Sequence, residues 1–249
     1  GNVASAAQRR ALVIVPTYNE RENIERLIRA VLAVSDEIDL LVVDDNSPDG
    51  TGDIVARLAA EQPGRVSVEH RPGKEGIGPA YLAGFDIALA SGVPIIVTMD
   101  ADFSHDPADL PRLLAALDGA DIALGSRYVT GGGTVGWPLH RRLISRGGGI
   151  YAQLVLGVHV RDLTGGFKAY RRPVIELLVR DGVRSDGYGF QIETVYRALK
   201  HGFRVVEVPI VFHDRALGRS KLSRRIVIEA MFMVWRLRFE RSGWSRARS

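Results

Sequence analysis

The 249-residue chain contains no cysteine, which excludes disulfides and thiolate metal sites and leaves its redox compartment open. No uninterrupted apolar run approaches the ~20 residues that a membrane-spanning helix needs, so the sequence reads as soluble or peripheral. The amino end lacks the apolar core of a secretory signal, because residues 1–10 are small and polar. The chain does not begin with Met, which suggests a piece of a longer protein, and residues 1–10 are expected to be disordered and outside the fold. No Gly-x-Gly-x-x-Gly follows the first apolar segment, and no Gly-Lys-Ser/Thr phosphate loop occurs. Repeats and low-complexity tracts are also missing.

Acidic residues are scarce at the carboxyl end. Residues 214–249 hold ten Lys or Arg against three Asp or Glu, a balance of +7, while the whole chain is +4, so residues 1–213 carry −3. A mildly acidic body with a basic tail suits an anionic surface or ligand near that end. The tail has none of the modules or spaced exposed aromatics of nucleic-acid binders, so no nucleic-acid partner is expected.

What is present is alternation. Apolar segments at 11–16, 40–43, 66–69, 94–99 and 121–124 read as strands. They are separated by helical stripes such as Ile24, Leu27, Ile28, Val31 and Leu32, for which Asn19 is a plausible N-cap. Strand–helix alternation argues a mostly parallel sheet with helices on both faces. Right-handed crossovers then bring the polar strand ends around Tyr18/Glu20, Asp44/Asp45 and Asp100/Asp102 to one edge, where ligands bind in open α/β sheets. The glycine-rich stretch 73–78 opens a further helix and is either a phosphate cradle or an ordinary turn.

The most informative stretch is Thr98-Met99-Asp100-Ala101-Asp102. Two carboxylates one residue apart at a strand end converge on one point. Such like charges call for a cation between them, most simply a divalent metal carrying phosphate oxygens. The alternative is helix capping around Asp106-Pro107. His105 beside this motif reads as a surface or capping residue rather than a ligand, and Glu193 as a structural or Arg-orienting group rather than a base.

Regular alternation is lost in the second half. Residues 131–149 read as a glycine-flanked loop carrying Trp137, Arg141, Arg142 and Arg146, a candidate interfacial loop. Residues 203–212 read as one strand interrupted by Pro209. Nine of the ten residues 226–235 are apolar, between basic flanks, and read either as an amphipathic helix lying at a headgroup surface or as a core helix packed on the sheet.

Several separated motifs resemble glycosyltransferase family 2. They are Pro16-Thr17-Tyr18-Asn19-Glu20, the run Val43-Asp44-Asp45-Asn46-Ser47-Pro48-Asp49-Gly50-Thr51, and Asp100-Ala101-Asp102. Adding Gly125-Ser126-Arg127-Tyr128, Leu163-Thr164-Gly165-Gly166-Phe167-Lys168 and Arg215 through Ser220-Lys221 narrows the resemblance to polyprenol-phosphate mannose synthases, over roughly residues 11–225. The resemblance implies a GT-A, Rossmann-like α/β fold over residues 11–213 and a basic amphipathic carboxyl-terminal extension over residues 214–249. It further implies inverting transfer of mannose from GDP-mannose to polyprenyl monophosphate. Members without carboxyl-terminal spanning helices work with a membrane-protein partner or a fused membrane domain. The protein is thus expected in the cytoplasm, peripheral on the inner face of the plasma membrane.

By the same resemblance, Pro16, Tyr18, Glu20, Val43, Asp45, Asp100, Ala101, Lys168 and Lys221 surround the donor. Arg127, Arg141, Ser145 and Arg215 meet the acceptor phosphate, and Asp100, Asp102, Arg127 and Arg215 form the catalytic group. A divalent metal, Mg²⁺ or Mn²⁺, falls to Asp102 with Asp100 and Ser104. Many relatives carry Gln where this chain has Ser104, and a water can stand in for the shorter side chain. The competing functions are glucosyl or N-acetylhexosaminyl transfer from a UDP-sugar, transfer to a protein or polysaccharide with a carboxylate base, and a non-catalytic nucleotide or lipid-phosphate binding module.

Overall fold

The structure, a computed structural model, describes residues 10–214 and 224–240. Seven strands form one sheet in the order β3-β2-β1-β4-β7-β5-β8: β1 (Ala11–Thr17), β2 (Ile38–Asp44), β3 (Val66–His70), β4 (Ile95–Thr98), β5 (Ile122–Ser126), β7 (Lys168–Arg171) and β8 (Val205–Pro209). All pairings are parallel except those of β7, which runs antiparallel between β4 and β5. A small parallel pair, β6 (Gly133–Val135) with β9 (Val211–His213), stands apart.

The sheet is covered on both faces, and β1 shows how its sequence arranges this. Successive strand residues point to opposite faces, so Ala11, Val13 and Val15 pack with α1 (Ile24–Leu32), α2 (Thr51–Glu61) and α4 (Leu110–Ala116). Leu12 and Ile14 pack instead with α3 (Ile77–Ser91), α6 (Arg172–Asp181) and α7 (Gly187–Lys200). A buried strand of continuous apolar character is what two covered faces require. Each fully buried Ile or Leu contributes roughly 1.5–3 kcal/mol.

A third cluster lies against β5 through Leu124. There α5 (Leu139–Leu156) and α8 (Arg224–Phe239) pack on α7 through Ala152, Leu156, Ile192, Val195, Val234 and Leu237. Tyr81 of α3, Phe190 of α7 and Phe85 form an aromatic stack, with Tyr81 and Phe190 centroids 5.6 Å apart, which ties the two halves of the chain together.

Four local expectations are corrected. Asn19 is no helix cap: it sits in the left-handed region at φ 59° and α1 begins at Ile24, where Asn23 precedes the helix. The 131–149 loop is short, because Arg141, Arg142 and Arg146 lie on α5. Trp137 is buried at 6% exposure rather than interfacial. The 203–212 strand divides at Ile210 into β8 and β9, which serve different sheets.

Candidate active site

The pairing register builds the crevice. Thr17 of β1 stands opposite Asp44 of β2, and Ile14 opposite Thr98 of β4, so the carboxyl ends of these strands share one edge. Because β7 runs backwards, its amino end arrives there, with Lys168 paired to both Thr98 and Leu124. The Gly165-Gly166 approach to β7 therefore meets the Asp-x-Asp turn.

On the donor side, Asp44 is a structural knot. It accepts from Thr17 Oγ1 at 2.7 Å, from Ser47 Oγ at 2.6 Å and from Ser47 N at 2.9 Å. Its neighbour Asp45 is paired with Arg71 at 2.6 Å, and Arg71 reaches on to Glu75. Burial pushes the Asp45 carboxyl up, opposed by the Arg71 guanidinium. Tyr18 is exposed, and Lys74 lies over its ring at 4.1 Å. Pro16 and Glu20 line the same edge at intermediate burial. Val43 and Ala101 are buried in the apolar layers, so only their main chain can face a donor.

The glycine-rich stretch is no open phosphate cradle. Gly78 N at the start of α3 donates to Asp186 at 2.7 Å, so a carboxylate of this chain already answers that helix end.

The Asp-x-Asp turn is held from below. Asp100 N donates to His105 Nδ1 at 3.2 Å, which fixes His105 as an acceptor at that nitrogen. His105 is neither surface nor cap: it is 2% exposed and stacks on Phe167 at 5.0 Å. Burial lowers its pKa, Arg127 adding to that and Asp100 and Asp102 opposing it, so the imidazole sits neutral amid these groups. Asp102 accepts from Ser104 N at 3.0 Å and also from Ser104 Oγ. The Ser104 hydroxyl is turned inward at 1% exposure, which makes it a group that orients Asp102 rather than a free ligand. Asp106 caps the short turn Pro107–Asp109 by accepting from Ala108 N at 2.9 Å, so the capping reading belongs to Asp106 and leaves the Asp-x-Asp pair outside it.

Among the described residues no group of three or more His, Cys, Asp or Glu is arranged to hold a metal alone. The donor set nevertheless fits Mg²⁺ or Mn²⁺, since such ions are held by one or two carboxylates, substrate phosphates and water. Asp102, oriented by Ser104, and Asp100 are the carboxylates that would hold the ion.

The basic residues are placed less freely than their motifs suggest. Arg127 donates from Nε and Nη2 to Asp162 at 2.8 and 2.6 Å, and from Nη2 to Thr164 at 2.8 Å. The two side chains are 6% and 0% exposed, and the Asp162 carboxylate holds the Arg127 pKa above its ordinary value against burial. Lys168 is fully buried, donating to Gln191 O at 3.0 Å, Gln191 Oε1 at 2.7 Å and Thr194 Oγ1 at 3.2 Å. It therefore lies beneath the cleft instead of touching a donor. Arg141 pairs with Asp214 at 2.8 Å and stacks on Trp137 at 4.1 Å. Ser145, one turn on, shares a 2.6 Å hydrogen bond with Tyr128 OH. Arg215 and Lys221 lie outside the described residues. Glu193 accepts from Ser185 N at 2.9 Å and Arg197 Nε at 2.7 Å, an orienting role as read from the sequence.

Lys168 gives a pH prediction. Burial lowers its pKa from 10.5 to about 7, so between those values the unfolded chain binds more protons than the folded one. Its contribution to stability therefore rises with pH over that window, by at most about 1.4 kcal/mol per pH unit. The denaturation midpoint of wild type minus that of Lys168→Met should climb from pH 7 to 10; a flat difference would sink the assignment.

Residues 12–178 match the profile of glycosyl transferase family 2. A polyprenol monophosphomannose synthase of Mycolicibacterium smegmatis is 50% identical over 92% of this chain and 88% of its own length. An undecaprenyl-phosphate mannosyltransferase of Micrococcus luteus is 47% identical over 91% and 93%. Among solved structures, glucosyl-3-phosphoglycerate synthase of Mycobacterium tuberculosis, in complex with Mn²⁺, UDP and glucosyl-3-phosphoglycerate, superposes with TM-score 0.67 over 93% of this chain and 81% of that one, at 22% identity. That likeness fixes the GT-A fold. The crevice at the sheet edge and these relatives together make the chain a member of glycosyl transferase family 2, in the group of polyprenyl-phosphate mannosyltransferases.

Proposed function

We propose that this protein transfers mannose, with inversion, from GDP-mannose to a polyprenyl monophosphate at a membrane surface. The observation that carries the reading is the Asp100–Asp102 turn at the sheet edge, braced by His105 and Ser104. Tyr18, Glu20 and Asp45, with Arg71 behind, wall the nucleotide end. A bound divalent cation would neutralise the charge that develops on the departing diphosphate. Asp102 and Asp100 hold the diphosphate end, and Arg215 and Lys221 are assigned to the same charge.

The acceptor needs little activation. A phosphate monoester has its second pKa near ~6 and is mostly ionised at neutral pH. One of its oxygens bonds to the anomeric carbon as the carbon–oxygen bond to GDP breaks, and GDP leaves with the electron pair. No proton has to be removed from the nucleophile, so no carboxylate base is required. Arg141, Ser145 and Arg215 position the acceptor phosphate, while Arg127 supports them from its buried pair with Asp162.

The two outer helices suit a lipid-borne acceptor. Arg141, Ser145, Gly149 and Ala152 form the inward face of α5, which leaves Leu139, Leu143 and Leu154 exposed beside Arg142 and Arg146. On α8, Val234 and Leu237 are buried, whereas Phe232 and Trp235 face outward at 73% and 45% exposure, next to Arg236 and Arg238. The carboxyl-terminal helix thus joins the two readings of its sequence: one side packs and the other is apolar and open. Among the described residues no helix is long and apolar enough to cross a membrane, and peripheral attachment at the inner leaflet fits these faces, beside a membrane-protein partner or fused membrane domain.

Phe232→Ser with Trp235→Ser should fold normally and lower flotation with anionic liposomes by about tenfold or more, since each ring is worth roughly 1.5–3 kcal/mol when buried. Equal flotation of the variant would remove this helix as the anchor. The activity itself is tested by transfer from a panel of sugar nucleotides to a short polyprenyl phosphate, with Mg²⁺, Mn²⁺ or EDTA. Metal-dependent transfer from GDP-mannose alone is the expected result. Transfer from a UDP-sugar would overturn the donor.

A further inference from the structure

We infer that Gln191 reads the transferred sugar: its side-chain amide N–H group, held beside Asp100 over the gap left by Gly166, donates a hydrogen bond to one sugar hydroxyl. This rests on the glycosyl-transfer reading above and assigns a specificity-determining role within it.

The orientation of the amide follows from chemistry. Gln191 opens the second turn of α7 and is 5% exposed. Lys168 Nζ approaches its side chain at 2.7 Å and its carbonyl at 3.0 Å. Lys168 Nζ donates to the side-chain oxygen Oε1, and Nε2 lies on the other side of the amide, toward Gly166. The same Nζ also reaches the main-chain carbonyl of Gln191 and Thr194 Oγ1, so Lys168 holds both ends of this residue.

The place to which Nε2 projects is defined by an absent side chain. A Cβ built on Gly166 would lie 3.4 Å from Gln191 Nε2, 3.6 Å from His105 Cε1 and 3.8 Å from Asp100 Oδ1. The amide, the imidazole edge and the first carboxylate of the Asp-x-Asp turn therefore surround one small space at the sheet edge. Asp100 and Asp102 draw the cation and the diphosphate, so the group next to them on this side is the sugar that the diphosphate carries. A neutral amide with only its donors available matches a hydroxyl oxygen. A buried donor is costly to leave unpaired, and a site built to bond a hydroxyl rejects the analogue that lacks it.

The test uses full-length enzyme, a short polyprenyl phosphate and GDP-mannose beside its mono-deoxy analogues. Wild type should lose about 10- to 100-fold in kcat/KM on one analogue, the size of one buried hydrogen bond. Gln191→Met should lose a similar factor on intact GDP-mannose and nothing further on that analogue, with KM for the polyprenyl phosphate unmoved. Losses that multiply for every analogue, or wild-type kcat/KM in Gln191→Met, would overturn the assignment. If Gln191→Met does not fold, Gln191→Glu carries the same comparison, because it keeps an oxygen toward Lys168 and removes the donor, with Lys168 at 2.7 Å to offset the added charge. Gly166→Ala adds a methyl with ordinary contacts of 3.4 Å or longer, so it should fold and yet obstruct transfer. Should wild type ignore GDP-mannose and use a UDP-sugar, the donor reading fails alone, and deoxy analogues of that sugar put the same question to Gln191.

Discussion

Asp102→Asn should lower transfer by about a thousandfold or more while leaving the unfolding midpoint nearly unchanged. The carboxylate sits at the cleft, oriented by Ser104 N and Oγ. The amide oxygen of asparagine can still accept one of those bonds, so the turn survives. What disappears is a unit of negative charge facing the cation and the departing diphosphate. Charge stabilisation of that kind is worth several kcal/mol in the transition state, and ~4 kcal/mol is about a factor of a thousand. Single-turnover transfer from radiolabelled donor reads the loss, and raised Mn²⁺ should restore part of it. Wild-type turnover in the variant would eliminate Asp102 as the metal-side carboxylate. Should wild type itself bind nucleotide and turn over nothing, the protein would be a binding module.

Asp162→Ala should destabilise the fold by roughly 3–5 kcal/mol, the cost of leaving one partner of a buried ion pair alone. Arg127 is 6% exposed beneath Tyr128, Trp137 and Phe212, at 5.2, 5.4 and 5.5 Å from their rings, so the guanidinium left behind is a buried charge without its carboxylate. The same carboxylate also accepts from Arg127 N at 2.8 Å, so a backbone donor is orphaned too. Urea denaturation measures the loss. The double variant Arg127→Met with Asp162→Leu should recover much of the stability, because two apolar side chains replace both charges at once. Asp162→Ala within 1 kcal/mol of wild type would show that the pair is dispensable.

The first half of the chain was legible because its physics is local. Each strand is a short apolar run ending in a polar cluster, and parallel crossovers fix where those ends meet. The Asp100 and Asp102 turn followed from that arithmetic. Three features were not legible. β7, Lys-Ala-Tyr-Arg, is four residues long and half charged, and becomes a strand because β4 and β5 bury it from both sides. Arg127 and Lys168 are polar by type, yet their partners, Asp162 and Gln191, stand 35 and 23 residues away, and no periodicity announces a pairing over such distances. His105 looked like a surface residue between two polar neighbours, but Phe167 and Phe212 close over it. A signal existed for α5: a spacing of four from Arg141 to Ser145 to Gly149, which the surrounding glycines obscured.

The backward strand has a consequence for the order in which the chain can assemble. A parallel sheet can add strands as they emerge, but the vacant edge of β4 must wait for β7, which begins 70 residues after β4 ends. At ~5–20 residues per second of synthesis that wait is about 3.5 to 14 seconds. Throughout it the nascent chain carries Ile95, Ile96 and Val97 on an unpaired edge, the kind of template that recruits foreign strands. Vulnerability during biosynthesis should therefore concentrate in that interval, and changes that slow the arrival of residues 168–171 should show up as lost yield of protein rather than as lost activity of the protein that folds.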